Sequence, residues 1–395
     1  MALPKFLIVE LSLSGWAGHH AHYVLTCAAA WRRRTGERAT VILNEAQGSA
    51  AFDAVSKVAS VVTVNAAPGG DVDPSESIDL HRNLFEDLQE RLNLGQRDLL
   101  FCPSASAMLL RTAVDFLCAP AGPRPHLALL FHGGIDSWMR IRSVEWLNKL
   151  NAAATRLSIW TTPDQPLRPG SVGNAQVGVL PIPTDHPARQ RPSHPTSRQP
   201  VLSFLGLPRP AKGVRLLLDA LGSPGWAGSI PAHFVIHLPR LESYYSTGDT
   251  SVWENVEELA RSSSVRLIME ELSPEMFAEI LRGSDVMLVP YDPVAYQSRT
   301  SAVFVAAAAF GIPLVASNGS SAGRAIAQGH AAGTLFDWDH GATATSCENF
   351  QRAITEVISN LGHFQMLAAS RRAHWSGSSS DHLIDLLYAE SERRS

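Results

Sequence analysis

Two short stretches in the second half of the chain combine cations and hydroxyl groups with the predicted start of a helix. The first, Arg209-Pro-Ala-Lys212, follows an apolar run and Gly206. The second, Tyr296-x-x-Arg299-Thr300-Ser301, follows another apolar run. Arginine grips phosphate through two parallel hydrogen bonds, lysine supplies a point charge, and a helix N-terminus attracts anions. The residue types fit phosphate binding, although exposed loop cations and an ordinary α/β loop explain them about as well.

The elements around the second stretch follow from its pattern. Asp285–Tyr291 contains the continuous apolar run expected of a parallel strand that is covered on both faces. An alanine-rich helix is predicted at about Ser301–Phe310, with Thr300 or Ser301 able to cap it, and Gly311 is suited to the left-handed conformation that ends a helix. Pro313–Ser317 is the next predicted strand. The loop therefore presents its polar residues at the carboxyl end of a strand.

The elements around the first stretch have the same order. Val201–Leu205 is a predicted strand, Gly206 lets the backbone approach a ligand, and a helix is predicted over Ala211–Leu221. Because both loops follow strands of one sheet, we expect Arg209 and Lys212 to share a diphosphate site with Arg299–Ser301.

Composition bounds the class of protein. The chain has 395 residues, of which 45% are hydrophobic and 18% charged, enough for two domains with a core each. The net charge of −4 argues against nucleic acid as a partner. The four cysteines are far apart and form no metal-binding or redox motif. No signal peptide and no apolar run of membrane-spanning length is found, so a cytoplasmic location is expected.

The first half alternates predicted strands and helices, which indicates a mainly parallel, doubly wound sheet. The turn after the first strand contains Gly15-x-x-Gly18 and the pair His19-His20. Two glycines do not make the dinucleotide fingerprint, and a tight turn explains them as well as a bound ligand does. No further ligand accompanies the histidines at metal spacing, so no metal is expected. His132 ends a later predicted strand, where a histidine that only bonds the backbone is nearly as good an interpretation as a functional one.

A change in composition divides the chain. Residues 183–200 contain five prolines and basic residues but no apolar cluster, which is typical of an interdomain linker. We therefore predict an N-terminal Rossmann-like domain over residues 1–184, a linker over 185–200 and a C-terminal Rossmann-like domain over 201–378. A final helix, with its core at Asp381–Glu390, occupies residues 379–395.

The order of these motifs resembles that of glycosyltransferases of family four. The resemblance lies in a glycine turn with histidines, LLFHGG at a strand end and VGVLPIPT before the linker, then GxxRxxKG, SDVMLVPYDPxxYxxRTS and an alanine-rich helix that ends in GIPLVAS. Members of this family are retaining enzymes that use nucleotide sugars and have the GT-B fold of two Rossmann-like domains facing across a cleft. The resemblance covers most of the chain and implies that the final helix crosses back to the first domain.

The resemblance also implies roles for individual residues. Arg209 and Lys212, after Gly206, would neutralise the donor diphosphate. Tyr296, Arg299 and Thr300 are assigned to the same site by their position before the predicted helix. The backbone at Ser301, Ala302 and Val303 would bind phosphate as well. The turn with Gly15 and Gly18 would lie over the donor. His132 would act near the transferred sugar as the catalytic residue, and no metal or other cofactor is required.

Two positions depart from the family pattern. The family usually carries two glutamates eight positions apart, of which the second binds ribose hydroxyls, and here those positions hold Ser298 and Ala306. Neither side chain can accept two hydroxyl hydrogen bonds as a carboxylate does. Losing a charge-assisted contact weakens binding by roughly 1.5–3 kcal/mol unless another group, such as Glu270, Glu271 or Asp292, replaces it.

These observations leave two main hypotheses. The first is a retaining transferase that moves a sugar from a nucleoside-diphosphate sugar to a glycan, a lipid-linked molecule, a protein or a small molecule. The second is a non-catalytic scaffold of the same fold, which the missing glutamates favour. A sugar epimerase would need paired carboxylates that the sequence does not place. Trp138 and Trp146 offer a peripheral contact with the inner membrane face, or the buried side of an amphipathic helix.

Overall fold

The computed structural model describes most of the chain. The described residues are 4–11, 13, 20–45, 49–65, 83–120, 122–132, 144–162, 176–180, 182–183, 198–207, 209–223, 226, 230–239, 256, 259, 262–297, 299–376 and 379–394. The chain divides into two compact units. Unit 1 comprises Met1–Asp185 with Ser378–Ser395, and unit 2 comprises His186–Gly377.

Unit 1 is built on a parallel sheet of seven strands in the order β3-β2-β1-β4-β5-β6-β7. Its described strands are β1 (Phe6–Glu10), β2 (Thr40–Asn44), β3 (Ser60–Val64), β4 (Leu99–Cys102), β5 (His126–Phe131), β6 (Leu157–Thr161) and β7 (Gln176–Val179). Its described helices are α1 (His20–Thr35), α2 (Ser49–Val58), α3 (Leu84–Leu92), α4 (Ala107–Cys118), α5 (Val144–Ala153) and α12 (Ser380–Arg394).

The central strands of unit 1 form because their apolar runs are buried on both faces. Every residue of β1, β4, β5 and β6 is buried. Helix α4 shows how the helices are fixed: the Ser106 hydroxyl caps it by accepting from the Leu109 N–H at 3.1 Å, and its apolar face joins the core. A continuous apolar core under a parallel sheet results.

The last helix, α12, belongs to unit 1 and packs on α1. Leu383 and Leu387 are buried, and the ring of Tyr388 lies 6.0 Å from that of Trp31. At the exposed edge, Arg33 Nη2 lies 2.9 Å from Asp381 Oδ1. This packing confirms that the chain returns to its first half.

Unit 2 has a parallel sheet of six strands in the order β10-β9-β8-β11-β12-β13. The described strands are β8 (Val201–Leu205), β9 (His233–His237), β10 (Val265–Ile268), β11 (Val286–Val289), β12 (Leu314–Ser317) and β13 (Gly333–Phe336). The described α-helices are α6 (Val214–Gly222), α7 (Pro274–Gly283), α8 (Ala302–Phe310), α9 (Ser321–Ala327), α10 (Thr343–Ser359) and α11 (Leu361–Ser376). The two sheets confirm the predicted pair of Rossmann-like α/β domains.

Both sheets contain a point at which the strand order reverses. In unit 1, β1 pairs with β2 on one side and β4 on the other, and in unit 2, β8 lies between β9 and β11. At such a point the loops after two neighbouring strands diverge and leave a crevice at their carboxyl ends, which is where open α/β sheets bind ligands. In unit 2 these are the loops that carry Arg209, Lys212, Arg299 and Ser301.

Helix α8 ends as predicted and α11 differs from the prediction. Gly311 has φ 72° and terminates α8 in the left-handed conformation. The structure adds α11, which the sequence did not predict, before the final helix that was predicted at Asp381–Glu390. The sequence of α11 has no clear apolar stripe, because polar side chains make part of its contact with the rest of unit 2. Arg371 donates to the Ala331 carbonyl and Arg372 to the Ala309 carbonyl.

Other predictions need adjustment or lie outside the described residues. The helix predicted from Ala211 begins at Val214, after a 3-10 turn over Pro210–Lys212. Helix α2 was not predicted at all. Most of the predicted linker lies outside the described residues.

Gly213 lies where the loop after β8 comes closest to the loop after β11, and its replacement tests this close approach. Its φ is +72°, and a Cβ there would lie 1.7 Å from the Pro290 carbonyl oxygen. We predict that Gly213→Ala lowers the free energy of unfolding by roughly 1–3 kcal/mol from backbone strain, with more from the clash. In the matched control Gly222→Ala, a Cβ meets nothing within 4 Å, so stability should change little or rise by about 0.4–1 kcal/mol. Chemical denaturation measures both, and equal effects of the two substitutions would contradict the close approach at Gly213.

Candidate functional site

The loop after β8 bends Lys212 back over Gly206. A Cβ on Gly206 would lie 2.6 Å from Lys212 Nζ and 2.9 Å from its Cδ. The absence of a side chain at Gly206 therefore makes room for the lysine. The 3-10 turn holds this arrangement through the bond from the Lys212 N–H to the Arg209 carbonyl, at 2.9 Å.

The loop after β11 is tied to the first loop and to the helices around it. The Asp292 N–H donates to the Ala211 carbonyl at 2.9 Å. Ser321, at the start of α9, donates its hydroxyl to the Arg299 carbonyl at 2.8 Å and its N–H to the Tyr296 carbonyl at 2.9 Å. The buried Ser317 hydroxyl donates to the Tyr291 carbonyl. The loop is therefore held along its length rather than only at its ends.

The cations of the two loops converge around two buried tyrosines. The rings of Tyr291 and Tyr296 lie 4.4 Å apart, and Lys212 Nζ lies 5.9 Å from the centre of the Tyr291 ring. Burial raises the pKa of the Tyr296 hydroxyl, while the charges of Arg209 and Arg299 lower it. Both guanidinium groups are therefore close enough to Tyr296 to stabilise negative charge there.

Lys212 carries a charge that the protein does not fully stabilise. Burial and then the positive charge of Arg209 lower the pKa of Lys212 to about 8. At pH 7 the lysine is still mainly charged, but the protein stabilises that charge less well than water does. A bound anion would supply the missing stabilisation. A lysine held in this way beside an arginine is poised for an anionic ligand.

The N-terminus of α8 faces the same crevice without a side-chain cap. Ser301 occupies the N-cap position, but its hydroxyl pairs with that of Tyr291 at 2.9 Å and makes no capping bond. Of the two residues predicted to cap α8, Thr300 and Ser301, Ser301 takes the N-cap position, but its side chain makes no capping bond. The N–H groups of Ala302, Val303 and Phe304 have no carbonyl partner inside the helix, so they add positive potential beside the cations.

Two residues of this site, His237 and Tyr291, were missed by sequence reasoning. His237 ends β9, is paired in register with Leu205 of β8, and is 8% exposed. Its Nε2 donates to the Glu270 carbonyl at 3.1 Å. Burial lowers the pKa of His237 to about 4, and the charge of Lys212 acts in the same direction. The sequence signal that could have identified His237 is a histidine at the carboxyl end of an apolar strand.

At the two positions where the family resemblance implies glutamates, the one described residue, Ala306, supplies no carboxylate. Ala306 is buried within α8, and Ser298 lies outside the described residues. Among the candidates for compensation, Asp292 is engaged in its own turn, since its Oδ1 accepts from the N–H groups of Val294 at 2.8 Å and Ala295 at 3.2 Å. One of the two carboxylate oxygens of Asp292 is therefore already bonded within its own turn.

In unit 1, His132 lies directly after β5, as predicted, and bonds the backbone. Its Nε2 donates to the Pro103 carbonyl at 2.6 Å, and its ring meets that of Tyr23 edge to face, with centroids 5.4 Å apart. Burial lowers the pKa of His132 to about 4, which outweighs the opposing effect of the Pro103 bond. His132 is therefore neutral at pH 7, with its proton on Nε2.

A buried carboxylate close to His132 was also missed. Glu10, at the end of β1, is fully buried, and its Oε2 accepts from the Ser104 hydroxyl at 2.6 Å. His20 Nδ1 lies 3.2 Å from the same oxygen and 2.9 Å from the Ser104 hydroxyl. The sequence signal that could have identified this buried carboxylate is the glutamate inside the apolar run FLIVEL. Gly15, Gly18 and His19 lie outside the described residues.

The candidate membrane contact is only partly described. Trp146 packs against the core of unit 1, which matches the buried-face interpretation, and Trp138 lies outside the described residues. In the described part of the chain, no helix is both long and apolar enough to span a bilayer.

No family model matches the sequence, and no curated protein matches it. Solved structures do match. A glycosyltransferase from Rickettsia africae has a TM-score of 0.67 at 13% identity, with 99% of this chain and 100% of that chain covered. The sucrose-phosphate synthase of Thermosynechococcus elongatus gives 0.66 at 12% identity over 99% and 100%. Anabaena HepE, solved in complex with UDP and glucose, gives 0.65 at 15% identity, with 99% of each chain covered.

These likenesses extend over both units of the chain. At identities this low they establish the fold and leave the chemistry to the residues of the site. The chain therefore has the two-domain fold of these glycosyltransferases.

Proposed function

We propose that this protein is a glycosyltransferase that takes a sugar from a nucleoside-diphosphate sugar and transfers it with retention of configuration at the anomeric carbon. The observation that supports the proposal best is the convergence of Arg209, Lys212 and Arg299 with the uncapped start of α8 at the strand-order reversal of unit 2. Three cations and a helix N-terminus in one crevice match the charge of a diphosphate.

The same groups would stabilise the leaving group. As the bond from the anomeric carbon to the diphosphate breaks, negative charge grows on the diphosphate oxygens, and fixed cations and N–H groups stabilise that charge without reorganising. The tyrosine pair and the Ser301 hydroxyl hold these groups in place. In this proposal the positive charge comes from the protein, and no metal is required.

His132 is proposed to act on the transferred sugar. Because its pKa is about 4, it is neutral at pH 7 and would polarise a sugar hydroxyl through hydrogen bonding rather than through charge. The Gly15–Gly18 turn is proposed to border donor and acceptor. The acceptor is proposed to be a glycan, a lipid-linked molecule, a protein or a small molecule, in a cytoplasmic protein that can associate with the inner membrane face.

A non-catalytic scaffold remains the second candidate, and Ala306 favours it. A buried alanine in α8 supplies no carboxylate for a ribose, so the donor loses a contact that the resemblance implies. The two candidates differ in nucleotide binding: the transferase must bind a nucleoside diphosphate, and the scaffold need not.

Thermal unfolding with uridine, guanosine and adenosine diphosphates separates the candidates. We predict that one nucleotide at a hundredfold excess over its dissociation constant stabilises the protein by about 2.7 kcal/mol. Lys212→Ala should abolish this shift and any turnover, because it removes the cation that lies over Gly206. The control Arg215→Ala removes an exposed arginine that pairs with Asp219, and it should leave the shift intact.

The proposal fails if no nucleotide shifts the wild-type protein, in which case the scaffold becomes the better account. A shift that survives Lys212→Ala would contradict the placement of the diphosphate. Circular dichroism of the variant confirms that any loss of binding is not a loss of fold.

Donor binding should also depend on pH. Since the pKa of Lys212 is about 8, its charged fraction falls as the pH rises through 8, whereas the ligand's terminal phosphate, with a pKa of about 6, is already ionised. We predict that affinity for the nucleoside diphosphate falls between about pH 7 and 9.5 as this charge is lost. Lys212→Arg keeps the charge throughout this range, so its affinity should be flat; the same decline in both proteins would assign the titration to another group.

Replacement of His132 should separate turnover from donor binding. We predict that His132→Ala lowers kcat by about 10²-fold, the effect of losing one well-placed polar group at a reacting centre. The affinity for the nucleoside diphosphate should change less than twofold, because His132 belongs to unit 1 and the diphosphate site to unit 2. Single-turnover and binding measurements provide the comparison, and unchanged kcat would remove His132 from the mechanism.

A further inference from the structure

The most informative polar group without an assigned role is the ring of His237. It ends β9, one strand away from the loop that holds Lys212, and its register partner is Leu205, the residue before Gly206. Only 8% of the residue is exposed. Neighbouring strands lie about 4.8 Å apart, so the ring lies beside the proposed diphosphate site.

The orientation of the ring is fixed from one side. Nε2 donates to the Glu270 carbonyl, 3.1 Å away, just beyond the end of the adjacent β10. In a neutral imidazole with its proton on Nε2, Nδ1 carries a lone pair and acts as an acceptor. Among the described residues, the Glu270 carbonyl is the one hydrogen-bond partner of this ring. That bond uses Nε2, so the lone pair of Nδ1 has no described partner and can accept a hydrogen bond from a ligand.

The electrostatics keep His237 in its acceptor form. Burial is the main cause of its lowered pKa of about 4, and the nearby charge of Lys212 acts in the same direction, against the opposing effect of the bond to Glu270. The carboxylate next to this strand end, that of Glu270 itself, accepts a bond from the Met269 N–H at 3.2 Å. At neutral pH the ring is therefore uncharged.

We propose that His237 Nδ1 accepts a hydrogen bond from a ribose hydroxyl of the nucleoside diphosphate. This inference rests on the proposed function, because it takes the diphosphate to lie at Arg209 and Lys212. The ribose is joined directly to that diphosphate, and the base lies farther along the nucleotide. A side chain one strand spacing from the diphosphate site, such as His237, is therefore closer to the ribose than to the base.

The proposal accounts for the loss of the usual carboxylate. The position that binds ribose in the resembling family holds Ala306, which is buried and cannot accept a hydrogen bond from a hydroxyl. A histidine on β9 would supply an acceptor from the other side of the β8 loop. Nucleotide binding would then be retained although the glutamate is missing.

Isothermal titration with ribose, 2′-deoxy and 3′-deoxy forms of the nucleotide that binds provides the test. We expect wild-type protein to bind one deoxy form about tenfold more weakly than the ribose form, as the loss of one hydrogen bond implies. His237→Phe should bind the ribose form about tenfold more weakly than wild type and should no longer distinguish it from that deoxy form. Inorganic pyrophosphate, which has no ribose, should bind both proteins equally.

His233→Phe is the matched control, because His233 is an exposed histidine at the opposite end of the same strand, and it should behave as wild type. A His237→Phe variant that still discriminates between ribose and deoxyribose would overturn the inference while leaving the diphosphate site intact. Weaker binding of pyrophosphate to the variant would also overturn it, since the histidine would then act on the phosphates. Failure of wild type to bind any nucleoside diphosphate would overturn the proposed function and this inference together.

Discussion

The crevice of unit 2 depends on one close approach, that of Gly213 to the Pro290 carbonyl oxygen. A Cβ would lie 1.7 Å from this oxygen, so only glycine allows the loops after β8 and β11 to meet there. The bond from the Asp292 N–H to the Ala211 carbonyl closes the same junction. With the loops joined, Lys212 is bent over Gly206 and kept near Arg209, although the two charges repel each other. The fold thus maintains a local excess of positive charge that an anion can relieve.

Much of this arrangement could be predicted from the sequence, because it depends on local patterns. The run Val-Met-Leu-Val predicted β11, the alanine-rich stretch and Gly311 predicted α8 and its end, and alternation of strands and helices predicted two parallel sheets. Arg209, Lys212 and Arg299 were identified from their places before predicted helices. Since parallel strands bring their carboxyl ends to one edge, that reasoning also placed them in one crevice.

What the sequence did not reveal depends on partners that are distant along the chain. The Ser301 hydroxyl bonds Tyr291 rather than capping α8 because the two residues meet only when β11 and α8 pack. His237 and Glu10 were missed because their roles follow from the neighbouring strands, which supply the Glu270 carbonyl to one and Ser104 to the other. Helix α11 was missed because its arginines look solvated in sequence but bond carbonyls of unit 2.

The central claim is that the diphosphate of a nucleotide binds at the N-terminus of α8 beside Lys212. Amide hydrogen exchange at Ala302, Val303 and Phe304 tests it most directly, because these N–H groups have no carbonyl partner within the helix. We predict that a bound nucleoside diphosphate slows exchange at these amides in wild-type protein and has no effect in Lys212→Ala. Unchanged exchange at these positions in protein shown by titration to be saturated with nucleotide would contradict the claim.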